Sequence, residues 1–104
     1  MTDVETKNLA LLTRTLAALD SPKEAEAYLR ELCTPQEIRA IAQRAGIAEL
    51  LIQKIPYMKI AELLGDKNAK RPSTATVNRV NDVVQNGDGY LHKMILRATG
   101  AEGC

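Results

Sequence analysis

Thr74, Ala75 and Asn78 have the side chains best suited to specific chemistry in this chain, and that chemistry is hydrogen bonding and contact rather than bond making. An asparagine amide pairs with adenine through both of its groups, a threonine hydroxyl meets either kind of partner, and an alanine methyl is small enough to touch a thymine methyl. Lys59, Lys67, Lys70 and Arg71 precede them, and Ser73 and Thr76 sit among them. These six suit phosphate oxygens, which hold a protein in register on a duplex without reading its sequence. Arg79 suits a phosphate or a ligand.

Two elements must position these groups. Tyr57 to Leu64 places Met58, Ala61 and Leu64 at three-residue spacings with Ile60 and Leu63 beside them, one apolar helical face. Gly65 ends it as a C′ residue. Ser73, just after Pro72, is an N-cap for a second helix whose inner side is Val77, Val80, Val83 and Val84. The pair reads as a helix-turn-helix over residues 57–84, with the second helix entering a major groove and Thr74, Ala75 and Asn78 at base edges. Helices joined by a basic connector also suit a helical protein–protein interaction module, and that is the alternative.

Charge favours the first reading. Residues 54–80 carry +4, residues 1–53 carry −2 and residues 81–104 carry −1, within a chain of net charge +1. A single basic region in a near-neutral protein is the footprint of a phosphate-contacting surface.

Enzymatic chemistry finds no support. His92 is the only histidine, and no Ser, Cys or carboxylate stands at a motif spacing from it. Gly65 and the Gly87/Gly89 pair fit a cap and a turn rather than a phosphate-binding loop. Cys33 and Cys104 are too few for a disulfide framework or a cysteine-based zinc site. No catalytic residue, metal site or cofactor is expected. The start has neither a basic n-region nor an apolar h-region, and no run approaches the roughly 20 apolar residues of a membrane span, so a cytoplasmic protein is expected.

The remaining helices supply the frame. Leu9, Leu12, Leu16 and Leu19 mark a first helix over Val4 to Leu19. Ser21-Pro22-Lys23-Glu24 opens a second, with Ala25, Tyr28, Leu29 and Leu32 inward. Thr34-Pro35-Gln36-Glu37 opens a third, running to about Gln53 with Ile38, Ile41, Ala42, Ala45, Ala48, Leu51 and Ile52 inward. Ile55-Pro56 breaks it. Asp88 is the expected N-cap of a last helix holding Tyr90, Leu91, Met94, Ile95 and Leu96, and the tail 100–104 is expected to be disordered. Six helices without a strand pattern make one all-α domain spanning 1–104. Hydrophobic content is 45%, with neither Phe nor Trp, so little surface is buried per residue and a two-fold homodimer is expected.

Four segments together resemble the Trp repressor superfamily: Leu32 to Glu37, Ala42-Gln43-Arg44, Ile47 to Leu51, and Ser73 to Val80. The likeness spans about Leu32 to Val84 and looks closest to Trp-repressor-like proteins of the YerC/YecD type. It implies an intertwined all-helical dimer that binds double-stranded DNA, with two binding motifs facing successive major grooves. It also implies that Thr34, Arg44 and Arg79 match residues that hold a small-molecule corepressor, tryptophan, in the Trp repressor. Val80 and Val83 replace a glycine and a serine there, which would crowd an indole and remove a hydroxyl partner. The connector Asp66 to Pro72 is also longer than the family's usual link. A sequence-specific transcriptional regulator that does not respond to tryptophan is therefore expected.

Overall fold

The computed structural model describes residues 1–65 and 72–100. They form six helices: α1 (Asp3–Ala17), α2 (Pro22–Leu32), α3 (Pro35–Ile52), α4 (Tyr57–Leu64), α5 (Thr74–Asn86) and α6 (Tyr90–Thr99). No strand occurs among the described residues. The expected tail, apart from Gly100, lies outside them.

Contacts divide the chain into two compact units, Met1–Ile38 and Arg39–Cys104. The first holds α1, α2 and the first turn of α3. It has no buried residue. Its inner stripe is only half-covered at Leu12, Leu19, Ala25, Tyr28 and Leu29, while Leu9, Leu16 and Leu32, expected inward, are exposed. One polar link joins its two helices, Tyr28 Oη to Thr15 Oγ1 at 2.6 Å, and Thr15 also donates to the Leu12 carbonyl at 2.7 Å.

Local hydrogen bonding explains the helix starts. Thr2 caps α1, its hydroxyl accepting from the Glu5 amide at 3.1 Å. Ser21 caps α2, its Oγ accepting from the Glu24 amide at 3.1 Å, but Glu24 reaches back to the Asp20 amide instead of that of Ser21. At α3 the box closes fully: the Glu37 amide donates to Thr34 Oγ1 at 3.1 Å and the Thr34 amide to Glu37 Oε1 at 2.8 Å. Hydrogen bonding of the Glu37 carboxylate to the Thr34 amide, and secondarily to the Thr34 hydroxyl, holds that carboxyl below the usual carboxylate range.

The second unit carries the core. Ile47, Ala48, Ile60, Val77, Val80 and Val84 are buried together, with Leu50, Leu51, Ile52, Ile55, Leu64, Leu91 and Ile95 packed on them. At Gly46 in α3 a Cβ would lie 3.6 Å from Leu64 Cδ2 of α4, an ordinary van der Waals distance, so the packing of the two helices does not require glycine there. The end of α3 is a Schellman motif. The Lys54 amide donates to Leu51 O at 2.9 Å, the Ile55 amide donates to Leu50 O at 3.0 Å, and Lys54 takes the left-handed conformation at φ 64°. Ile55 and Leu50 both pack on the core, the apolar contact that accompanies this cap.

Several expected faces are turned. In α3, Ile41, Ala42 and Ala45 are exposed while Ile47 is fully buried. Apolar residues lie nearly all round that helix, so its packing partners, not its period, select the inner face. In α4 the inner side is Ile60 with Ala61 and Leu64, leaving Met58 81% and Leu63 55% exposed. Gly65 caps α4 with extended backbone, φ −100° and ψ 124°, rather than as a left-handed C′ residue. At α6, Gly89 is the N-cap at φ 91°, in place of Asp88, and makes no side-chain bond. Tyr90 and Met94 are exposed, and Leu91, Ile95 and Leu96 are half-buried.

Two outcomes follow for local stability. Replacing Lys54 by glycine is expected to stabilise the protein by roughly 0.5–1 kcal/mol, because relief of the left-handed conformation outweighs glycine's added entropy. Urea unfolding at fixed protein concentration measures it. Glu37 has a depressed pKa, so the support its carboxylate gives α3 is present above the unfolded-state pKa and is lost as pH falls through the folded-state value. Glu37→Gln is expected to remove that acid-side dependence, measured by unfolding midpoints across an acid pH series.

Candidate nucleic-acid interface

The candidate surface is set by how α5 seats itself. Val77, Val80 and Val84 recur at three and four residues, and each is at most 8% exposed. The opposite side of a 3.6-residue helix must then face outward. Ala75, Asn78, Arg79 and Asp82 lie there, and Thr74 flanks them at the first turn; all five are exposed. Val83 is half-buried beside the stripe.

Ser73 starts the helix with extended backbone, φ −71° and ψ 156°. Its hydroxyl accepts from the Thr76 amide at 3.1 Å and lies 2.9 Å from Thr76 Oγ1. Both hydroxyls assigned to phosphate contact in the sequence are therefore also engaged in closing the first turn of α5. Pro72, immediately before them, is buried. This anchors the entry of the chain into the helix.

Among the cations, Lys59 is exposed on α4, where its Nζ lies 3.7 Å from Glu62 Oε2. Both side chains are more than half exposed, so water and salt screen that pair and the ammonium stays available to another anion. Lys67, Lys70 and Arg71 lie outside the described residues. The exposed Asp82 accepts a 3.0 Å bond from Asn86 Nδ2 one turn on. Its negative charge limits the surface fit for phosphates to the first two turns of α5.

The three candidate ligand residues fall in different units. Thr34 belongs to the first unit, where both its hydroxyl and its amide are used by the α3 capping box. Arg44 and Arg79 belong to the second unit, and both are exposed. Neither forms an ion pair among the described residues. Two shallow depressions, one along α2 from Pro22 to Arg30 and one along α6 from Gly89 to Leu96, are not lined by these residues. No group of three or more His, Cys, Asp or Glu converges among the described residues. No helix among them is long and apolar enough to cross a membrane.

One contact at the surface escapes reading by sequence. Tyr57 Oη lies 3.0 Å from Thr74 Oγ1, joining the first residue of α4 to the first residue of α5. An aromatic residue with a polar tip directly after Pro56 was the available signal. Its partner is 17 residues away across a connector whose path periodicity does not specify.

Comparison with known proteins converges on one family. Residues 7–99 match the family described as Trp repressor protein. The uncharacterized protein YerC of Bacillus subtilis (strain 168) is 32% identical over 96 residues, covering 92% of this chain and 86% of that protein. No solved structure gives a significant match.

Ser73→Ala is expected to destabilise the second unit by about 1 kcal/mol through loss of the cap, whereas Ser73→Asp, which caps equally well, is expected to leave stability unchanged. Thermal unfolding of both variants at one protein concentration measures the difference.

Proposed function

The chain belongs to the Trp repressor family, and on that premise we propose that it is a homodimeric, sequence-specific DNA-binding transcriptional regulator. The observation that carries this reading is the exposure of Thr74, Ala75 and Asn78 on α5, opposite a buried valine stripe. A helix seated by one face and lined on the other with small and amide side chains is suited to a major groove. Thr74, Ala75 and Asn78 contact bases in this reading. Lys59, Lys67, Lys70, Arg71, Ser73 and Thr76 contact phosphates.

A homodimer is supported by the apolar surface that one chain leaves open. In the first unit Leu9, Leu11, Leu16 and Leu32 are each at least 43% exposed, and nothing there is buried. Covering such faces with a second copy supplies the burial that short helices of modest side chains lack. The regulator is read as unresponsive to tryptophan. Val80 is 3% exposed within the core and Val83 is half-buried, so neither offers the small side chain or hydroxyl that an indole pocket would use.

Selection from a pool of random duplexes, followed by fluorescence anisotropy at two salt concentrations, tests the proposal. The expected product is a two-fold motif with half-sites about one helical turn apart, bound with an affinity that falls steeply with salt. Added tryptophan should leave it unchanged. Arg71→Ala should weaken binding to enriched and random duplexes alike, whereas Asn78→Ala should cost about 1–3 kcal/mol on the enriched duplex and change the preferred sequence. No retention at low salt would overturn the DNA reading in favour of a protein partner for the same basic surface.

A further inference from the structure

The hydrogen bond between Tyr57 and Thr74 has little to contribute to folding. Both residues are exposed, Tyr57 by 39%, and neither belongs to the buried cluster. Water competes for such a bond and leaves its net stabilisation small. Its effect lies in where it aims a proton.

A hydroxyl carries one proton and two lone pairs. A phenol is the stronger donor and an aliphatic alcohol the stronger acceptor, so in this pair Tyr57 donates and Thr74 accepts. The Thr74 proton then remains to be placed. In α1 and α6, Thr13, Thr15 and Thr99 donate theirs to carbonyls three or four residues back, at 3.0, 2.7 and 2.8 Å. Thr74 is the first residue of α5, so the helix itself contains no carbonyl three or four residues back for it to use. With Tyr57 as donor, that proton is left for a group outside α5, on a first turn where Thr74 and Ala75 are both exposed.

We propose that Tyr57 is a positioning residue that fixes Thr74 as an outward hydrogen-bond donor, so that the first turn of α5 selects a base edge presenting an acceptor. Those edges are purine N7, guanine O6 and thymine O4 in the major groove. The proposal rests on the reading of α5 as the base-facing helix. Without Tyr57 the threonine hydroxyl turns freely and meets donors and acceptors alike. The consequence is relaxed choice at one position rather than weaker binding overall.

The full-length wild type, Tyr57→Phe, Thr74→Val and the double variant are each taken through selection on random duplexes and then anisotropy on the enriched and random pools. Tyr57→Phe is expected to lower the preference at one base position in each half-site by roughly threefold to tenfold, the worth of one neutral hydrogen bond, with affinity for random duplex unchanged. In the Thr74→Val background it should have no further effect, because the group it orients is gone. Thr74→Ser, which keeps the hydroxyl, should retain the preference only while Tyr57 is present. Equal losses on enriched and random duplexes would make Tyr57 a direct phosphate contact and overturn the proposal, as would additive effects of the two substitutions. An unchanged motif with Tyr57→Phe overturns the assignment of Tyr57 alone; absence of enrichment by the wild type overturns the DNA reading on which it rests.

Discussion

The burial of Val77, Val80 and Val84 with Ile47 and Ile60 is the packing on which the rest depends. It fixes the roll of α5 about its own axis. Successive residues of a helix are about 100° apart, so a slip of one position would bury Asn78 and turn a valine to solvent. Three β-branched side chains in one stripe resist that slip, because their stiff rotamers fit only one set of neighbours. The exposed row on α5 is thus determined by apolar packing on its far side.

That core is small. Seven residues are buried among those described, the six of the apolar cluster and Pro72, and all belong to the second unit. In the first unit the leucines are at most half-covered, and the Thr15–Tyr28 bond links its two helices. Capping boxes and N-caps carry much of the local order, at Thr2, Ser21, Thr34 and Ser73. A chain ordered this way retains apolar faces that a second copy can cover.

Legibility in the sequence followed the range of the forces involved. Ser21, Thr34 and Ser73 mark their helices correctly because a cap is a contact between residues three apart. The valine stripe of α5 is equally plain, since polar residues fill its other side. The start of α6 is less legible: Asp88 is the expected cap, whereas a left-handed Gly89 makes the turn without a side-chain bond. The inner face is not legible where apolar residues surround the helix, as with the buried Ile47 in α3 and the exposed Met58 in α4. The exposed residues of the candidate surface could be named from α5 alone, but the Tyr57–Thr74 bond depends on how two helices meet and has no one-dimensional signature.

The most direct test is a titration of the isotope-labelled protein with an enriched duplex, following every backbone amide by two-dimensional NMR. Expected are shifts and protection concentrated at Thr74, Ala75 and Asn78, with the first turn of α4 next and the amides of Val80 and Val84 little changed. Shifts confined to α1, α2 or α6, with residues 74–78 unmoved, would contradict the assignment of α5 as the reading helix.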